Sequence, residues 1–389
     1  MKKRAYLDWA AAAPVRKEAR TAFLDALDAF GNPSSAHEEG RAASALLEGA
    51  RARVARLAGT KPEAVVFTSG ATEANALAIE GRIRARLRLG APPELLHVLY
   101  APSAHASVTG ACMRAEALGV RTEPLSFADG RIDLADLARK VRPETMLVVV
   151  DVVCGETGLQ THVRDVRRTL DTALPAGGRI NLHADASQAP LIAPFELAQL
   201  GADSIALDAQ KIGGVRGIGA LIALRSVAID PLMAGGGQER SLRPGTPAPA
   251  LAAAFAAALS LADRERAAFR EHSEAFRSRF LLAIESIAGL SVNEGKEQAP
   301  HIVNLSLIGR DTDYVQALLD EAGVAVSTKS ACESDSESGS RAVFAYTGDR
   351  ECAASTLRVS WGPRARTCDL DRCARELVRA VRFVDGSTI

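Results

Sequence analysis

Short apolar runs alternate with alanine- and arginine-rich stretches over the first 225 or so residues, and this alternation constrains the fold more than any other feature. Short apolar runs bounded by turn signals are typical of strands buried on both faces of a mostly parallel sheet. The stretches between them repeat apolar residues at helical spacing. The pattern therefore predicts an α/β fold with helices on both faces of the sheet. The predicted strands are Ala64–Phe67, Leu95–Tyr100, Met146–Val150, Ile180–Ala184, Ser204–Leu207 and Ala220–Leu224, and the predicted helices include residues 42–58 and 134–141.

The character of the sequence changes near residue 250. A long alanine-rich helix to about residue 287 leads into separate short strands near 302–307 and 356–360, which is typical of a second, smaller α+β domain. With 389 residues, the chain is also longer than one hydrophobic core usually supports. We therefore predict a large domain over residues 15–255 and a small C-terminal domain made of residues 1–14 and 256–389.

The composition argues against several classes of partner. The 47 basic side chains balance 47 acidic ones, so no global field attracts the chain to nucleic acid or to an anionic membrane. No apolar run approaches the roughly 20 residues that cross a bilayer, and Asp8 interrupts the basic start before a signal-peptide core can form. Six scattered cysteines without a C-x-x-C pair argue against a metal site and favour a reducing, cytoplasmic location.

Polar residues follow three of the predicted strands. The small residues of segment 68–73 open a helix, and such a segment either binds an anion or simply caps the turn. Asp185 follows a later strand, at the end where open α/β sheets bind their ligands, although an aspartate here also suits a turn cap. Lys211 stands beside a glycine-rich turn between two apolar strands, and taken alone it is explained equally well as a surface lysine.

In this order and at these spacings, the segments resemble the cysteine desulfurase group of the class V aminotransferase family, the NifS- and IscS-like enzymes. The resemblance covers nearly the whole chain. It implies the fold-type-I architecture of pyridoxal-phosphate-dependent transferases, with a mostly parallel seven-stranded sheet in the large domain. The matching motifs lie at residues 6–14, 31–35, 69–73, 183–188, 208–219, 235–240, 243–246, 330–332 and 357–360.

The resemblance implies pyridoxal 5′-phosphate as the cofactor and a role for each matching residue. Lys211 would form the Schiff base and then move the α-proton of the substrate. Asp185 would pair with the ring nitrogen, and His105 would stack on the ring and relay protons. Thr246 would reach the phosphate from a second subunit, so a homodimer is expected. The other implied cofactor contacts are Ala71, Thr72, Gly155, Gln188, Asp208 and Gln210.

Three of these positions depart from the family pattern. Asp208 stands where a phosphate-binding serine is usual, Gln210 where a histidine is usual, and Gly155 where an asparagine is usual. An ionised carboxylate repels a phosphate dianion, so Asp208 has to turn away, be protonated or have a compensating cation. The missing amide at Gly155 removes one or two contacts of about 1–3 kcal/mol each unless another group replaces them. Cys154, also new at its place, is interpreted as a small buried hydrophobe.

Cys332 distinguishes sulfur transfer from transamination, because ordinary aminotransferases of this fold need no thiol nucleophile. By the resemblance, its thiolate would take the sulfur of L-cysteine as a persulfide, and alanine would leave. Arg358 would bind the substrate carboxylate in a bidentate manner, and Asn32 is a further predicted substrate contact.

The resemblance therefore implies a cysteine desulfurase that converts L-cysteine to L-alanine. It would pass the sulfur to an acceptor protein, either an iron–sulfur scaffold or a thiolation enzyme. Two alternatives stay open at this point. A related pyridoxal-phosphate enzyme would act on selenocysteine or cysteine sulfinate, or would be an aminotransferase for another small amino acid. A low-activity scaffold protein that retains the fold would fit the three departures around the cofactor.

Overall fold

A computed structural model of the protein describes residues 4–174, 179–328 and 339–386. The strands are β1 (Ala5–Tyr6), β2 (Val65–Thr68), β3 (His97–Tyr100), β4 (Arg121–Pro124), β5 (Phe127–Ala128), β6 (Arg131–Ile132), β7 (Thr145–Asp151), β8 (Asn181–Asp185), β9 (Ser204–Asp208), β10 (Gly219–Ala223), β11 (Leu290–Val292), β12 (Ile302–Leu307), β13 (Val324–Ala325) and β14 (Thr356–Ser360). The α-helices are α1 (Lys17–Asp25), α2 (Glu38–Leu57), α3 (Ala71–Ala76), α4 (Arg82–Arg88), α5 (Ala106–Ala117), α6 (Leu134–Lys140), α7 (Val163–Ala173), α8 (Leu197–Leu200), α9 (Pro249–Ile284), α10 (Thr312–Glu321), α11 (Arg341–Thr347), α12 (Arg350–Ala354) and α13 (Thr367–Val384).

Seven strands form the central sheet, in the order β2-β10-β9-β8-β7-β3-β4. Neighbouring strands are parallel except around β10, which is antiparallel to both β2 and β9. The predicted mostly parallel sheet is thus confirmed, and each of the six predicted strands overlaps an observed one. The seventh strand, β4, has the sequence Arg-Thr-Glu-Pro and lies at the sheet edge, where proline is tolerated. It contains no apolar run, so periodicity does not reveal it.

Apolar side chains pack on both faces of the sheet. On β2, Val65 and Phe67 pack into the main core with α2 and α9, whereas Val66 packs into a second cluster with α3. The central strand β7 is buried along its whole length. Burial on both faces explains why these strands have continuous apolar sequences instead of alternating ones.

A second, three-stranded antiparallel sheet, β11-β12-β14, lies in the C-terminal part of the chain. The start of the chain joins this part, because β1 pairs in parallel with β13. The residues before α1 also contact β14, where the Ser360 amide donates to the Leu7 carbonyl at 2.8 Å, and the turn after β9, where Ala13 N–H donates to the Gln210 carbonyl at 3.1 Å. This connection places the N-terminal segment beside the glycine-rich turn after β9.

Helix α9 links the two parts of the chain. It begins at Pro249, and a proline is tolerated in the first turn because the N–H groups there have no acceptor within the helix. The helix packs on α1, α2 and α13. The predicted boundary at residue 255 falls inside this helix, and the division into domains stays a prediction. Among the described residues, neither α9 nor any other helix is both long and apolar enough to cross a bilayer.

Candidate active site

The carboxyl ends of β7, β8 and β9 open into a cavity of about 320 Å³. Each of these strands ends in an aspartate: Asp151, Asp185 and Asp208. Because parallel strands bring their carboxyl ends to one edge of the sheet, side chains far apart in sequence meet there. The predicted site residues that line the cavity are Ala71, Thr72, His105, Gly155, Asp185, Gln188, Asp208, Gln210, Lys211 and Arg358.

Three donors converge on the carboxylate of Asp185. Its Oδ2 accepts a hydrogen bond from Asn75 Nδ2 at 2.7 Å. Its Oδ1 accepts from the Ser187 amide at 2.9 Å and from Ser187 Oγ at 2.5 Å. An ionised carboxylate only accepts hydrogen bonds, so this arrangement suits the charged form of Asp185. A fixed negative charge therefore faces the cavity from the end of β8.

Asn75 is itself oriented by a buried histidine. The Asn75 side chain is fully buried on α3, and its Oδ1 lies 3.0 Å from His183 Nε2. Because Asn75 Nδ2 donates to Asp185, Oδ1 has to accept, and His183 Nε2 carries the proton. His183 Nδ1 then accepts from Ser204 Oγ at 2.8 Å. Burial lowers the pKa of His183 to about 4, so the imidazole is neutral at neutral pH and keeps this orientation.

Lys211 points its amine into the cavity. It lies on the 3₁₀ turn Ala209–Ile212 that follows β9, and Gly213 ends the turn with a positive φ of 79°. Its Nζ donates to the Ala10 and Ala11 carbonyls, both at 2.9 Å. Two backbone acceptors from the N-terminal segment therefore hold the amine beside Asp185 and Asp208, although about 200 residues separate them from Lys211.

Asp208 is seated between that turn and the start of α3. Its Oδ1 accepts from the Gln210 amide at 3.0 Å, and its Oδ2 accepts from the Ala71 amide at 3.2 Å. Burial raises the pKa of Asp208 against the opposing effect of these amides and of Lys211. The carboxyl thus lines the cavity. How it accommodates a phosphate stays a prediction.

Arg358 closes another side of the cavity from β14. Its Nη1 donates to the Gly155 carbonyl at 3.0 Å, and its Nη2 donates to Asp8 Oδ1 at 2.8 Å. Its Nε is buried and has no hydrogen-bond partner among the described residues. Because Arg358 also lines the cavity, an anion that enters meets a guanidinium on this side.

Gln188 fills the space that Gly155 leaves. Its Nε2 donates to the Ala10 carbonyl at 2.9 Å. A Cβ on Gly155 would lie only 3.0 Å from that same Nε2. A larger residue at position 155 would displace Gln188, so the position of the Gln188 side chain depends on the glycine.

His105 lies at the start of α5 and borders the cavity. It caps α5, because its Nδ1 accepts the Ser107 amide at 3.1 Å. Since Nδ1 is an acceptor, the ring proton of the neutral imidazole is on Nε2. The ring also lines the cavity. A hydrogen-bond path from Ser107 Oγ through Asn75, each contact 2.9 Å or shorter, connects it to Asp185.

Comparison with known proteins identifies the family. The family model for aminotransferase class-V matches residues 5–372. The chain belongs to this family. It is 31% identical to the cysteine desulfurase IscS of Dictyoglomus turgidum over 98% of this chain and 95% of that protein, and 35% identical to a cysteine desulfurase of Frankia sp. over 97% and 91%. A solved NifS-like protein superposes with a TM-score of 0.88 at 25% identity, covering 98% of this chain and 100% of that one.

The class V aminotransferases depend on pyridoxal phosphate, and the cavity fits this cofactor. Lys211 would hold the aldehyde carbon through its amine, and Asp185 would pair with the ring nitrogen. The Ala71 and Thr72 backbone borders the cavity where a phosphate would find amide donors. Asp208 already contacts the Ala71 amide, so the phosphate end is the part of the site that differs from the family pattern.

Two predicted residues that the structure describes do not line this cavity. Asn32 lies in the turn before α2, where its Oδ1 accepts the Ser34 amide at 2.9 Å. Thr246 lines a separate cavity of about 260 Å³ together with Glu239 and Arg243. Cys332 lies outside the described residues. Its role stays a prediction.

Two charged side chains that line the cavity, Asp151 and Arg341, were not predicted from the sequence. Asp151 ends β7 as the register partner of Asp185, accepts from Ser103 Oγ at 3.1 and 3.2 Å, and has its pKa raised to about 6 by burial. Its position at a strand end was a usable signal, identical to that of Asp185. Arg341 donates to the Pro102 carbonyl at 3.0 Å and to the Ala104 carbonyl. No local pattern marks this arginine, because its partners come from a distant loop.

Cys154 also lines the cavity, as a thiol rather than a thiolate. It is 3% exposed, and burial raises its pKa to about 12. The Thr157 amide approaches its sulfur at 3.5 Å. A thiol of such high pKa is a poor nucleophile, which agrees with its interpretation as a small buried hydrophobe.

Proposed function

We propose that this chain is a pyridoxal-phosphate-dependent cysteine desulfurase that converts L-cysteine to L-alanine and passes the sulfur to Cys332. The observation that carries the proposal is the meeting of the Lys211 amine and the Asp185 carboxylate in one cavity of a class V family member. Similarity to proteins named cysteine desulfurase supports L-cysteine as the substrate among those of this family. When bound, pyridoxal phosphate supplies an electron sink that stabilises negative charge on the substrate α-carbon.

The described residues divide the work on L-cysteine among them. Arg358 binds the substrate carboxylate through its guanidinium, which lines the cavity. The Lys211 amine, released from the Ala10 and Ala11 carbonyls, removes the α-proton. His105 presents its Nε2–H to the cavity and is a proton donor there.

The sulfur step is proposed for the thiolate of Cys332. It attacks the sulfur of the bound cysteine, the substrate Cβ–S bond breaks, and a sulfur–sulfur bond forms. The electrons of the broken bond stay on carbon, which takes up a proton, and L-alanine leaves. Atoms and electrons balance without an external oxidant. The outer sulfur of the persulfide then passes to an acceptor protein, an iron–sulfur scaffold or a thiolation enzyme.

A homodimer and a reducing location complete the proposal. Thr246 borders a cavity other than that of Lys211 within one chain, which supports a contribution of this residue to the site of a second subunit. The described cysteines, Cys112, Cys154, Cys352, Cys368 and Cys373, are all free. Free thiols support a reducing compartment such as the cytoplasm.

The test compares two cysteine variants of the purified, cofactor-loaded protein. With L-cysteine and a thiol reductant, the wild-type protein should release alanine and sulfide in equal amounts. Cys332→Ser should abolish both products and the protein persulfide seen by mass spectrometry. Cys368→Ser removes an exposed thiol and is the matched control, which should keep full turnover.

Two outcomes would contradict the proposal. Cofactor-loaded wild-type protein that forms no alanine from L-cysteine is not a desulfurase. If Cys332→Ser forms alanine and sulfide at the wild-type rate, the thiol is not the sulfur acceptor. Turnover of selenocysteine or a transamination reaction in that variant would favour the related enzymes instead.

A further inference from the structure

We propose that Asp208 holds the cofactor phosphate as a neutral carboxylic acid that donates its proton to a phosphate oxygen. The inference rests on the proposed function and assigns to this residue the donor role of a hydroxyl. It also makes cofactor binding sensitive to pH, because the proton that Asp208 donates has to be present when the phosphate binds.

The position of the Asp208 carboxyl is fixed by its neighbours. One oxygen accepts the Gln210 amide at 3.0 Å, and the other accepts the Ala71 amide at 3.2 Å. A Cβ on Gly70 would lie 3.3 Å from the second oxygen, so the chain approaches closely from that side as well. The carboxyl therefore has little freedom to leave the cavity when an anion enters.

Within the described part of the chain, the charged groups that act on Asp208 are Lys211 and Asp185. Lys211 on the following turn is the cation that acts on it, and the proposed function commits this amine to the cofactor carbon. Asp185 at the end of the neighbouring strand adds negative charge. On the α3 side, Glu73 and Arg243 pair with each other at 3.1 Å, so neither is directed to Asp208.

Protonation removes the conflict between two anions. Phosphate oxygens accept hydrogen bonds, and an ionised carboxylate has no proton to donate, whereas a neutral carboxyl group has one O–H donor. Burial already raises the pKa of Asp208 in the protein alone. A phosphate dianion beside the carboxyl disfavours its ionised form further. The protonated oxygen then donates to the phosphate, and the other oxygen keeps its backbone amide.

The test measures affinity for 4′-deoxypyridoxine 5′-phosphate, which has the ring and phosphate of the cofactor but no aldehyde to react with Lys211. Dissociation constants are determined for the full chain from pH 5.5 to 9. Binding that takes up one proton weakens by up to about tenfold per pH unit where Asp208 titrates. Asp208→Asn and Asp208→Ser each offer a neutral donor, so their slopes should be shallower by one proton.

Two further measurements separate this effect from other titrations. Calorimetry in buffers of different ionisation enthalpy should show one more proton taken up by the wild-type protein than by Asp208→Asn. With 4-deoxypyridoxine, which lacks the phosphate, the difference should vanish. Asp151→Asn, which removes another carboxyl of the same cavity, is the matched control and should keep the wild-type slope between pH 7 and 9.

Equal slopes for the wild-type protein and both Asp208 variants would overturn this inference and leave the desulfurase proposal intact. Weaker binding by Asp208→Asn and Asp208→Ser by the same factor at every pH would also overturn it. A folded wild-type protein that binds neither this probe nor pyridoxal phosphate at any pH would overturn both proposals together.

Discussion

Replacement of Arg358 by lysine should weaken substrate capture while leaving the positive charge in place. In the structure, Nη1 donates to the Gly155 carbonyl at 3.0 Å and Nη2 donates to Asp8 at 2.8 Å. The residue is 4% exposed, so water does not replace lost contacts. A single ammonium group cannot hold the carbonyl, the aspartate and a substrate carboxylate in the fork geometry of a guanidinium.

The size of the effect follows from the contacts that are lost. A hydrogen bond to a charged group contributes about 1.5–3 kcal/mol. The loss of one such bond to the substrate should lower kcat/KM by about 10- to 150-fold, since each 1.36 kcal/mol or so is tenfold. Most of the change should appear in KM, because the carboxylate is bound before and during the reaction.

The assay is steady-state alanine formation from L-cysteine, with cofactor occupancy measured by visible absorption. Asp8→Asn is the matched control. It removes the carboxylate that competes for the same guanidinium, so KM should not rise. If Arg358→Lys changes kcat/KM by less than threefold, or if Asp8→Asn raises KM as much as Arg358→Lys does, Arg358 holds the N-terminal segment in place and does not bind substrate.

Two further predictions concern stability. Glu239, with 3% of its side chain exposed, pairs with the Arg51 guanidinium through two hydrogen bonds of 2.7 Å, and removing one partner of a buried pair costs about 3–5 kcal/mol. Glu239→Ala should therefore lower the denaturant midpoint of unfolding far more than the double variant Glu239→Ala, Arg51→Met does. Equal midpoints for the two variants would refute the coupling. Burial lowers the pKa of His301 from 6.5 to about 3, so the folded protein keeps the imidazole neutral while the unfolded chain protonates it below a pH of about 6.5. The free energy of unfolding therefore falls by about 1.4 kcal/mol per pH unit as the pH drops from there toward 3. His301→Leu should flatten the acid side of the stability profile followed by thermal melting, whereas the exposed His272→Gln should not; identical profiles for wild type and His301→Leu would contradict this reasoning.

Parts of the site could be predicted because they depend on short-range patterns. Asp185 and Lys211 each follow an apolar run, and a run of buried residues that ends in a polar side chain indicates the ligand-binding edge of a parallel sheet. Asp151 carries the same signal at the end of β7 and was missed. His183 lies inside an apolar run, so nothing local marks it as the residue that fixes Asn75 and, through it, Asp185.

The departures from the family pattern show where sequence alone left the outcome open. For Asp208, the sequence left three possibilities open: turning away, protonation or a compensating cation. Only the structure shows that the carboxyl contacts the Ala71 amide beside the cavity. For Gly155 it indicated lost contacts, and the structure places Gln188 in the space beside it. Both outcomes depend on residues more than thirty positions away, so neither follows from local sequence.

The sequence by itself determined the type and order of the apolar strands and of the long helices, because burial on both faces of a sheet and on one face of a helix leaves a local trace in residue choice. Tertiary structure decided which polar groups meet. The Lys211 amine is held by carbonyls of Ala10 and Ala11 because the N-terminal segment passes the glycine-rich turn after β9. Hydrogen bonds between residues so far apart depend on how the whole chain closes, and no propensity of a short segment encodes that closure.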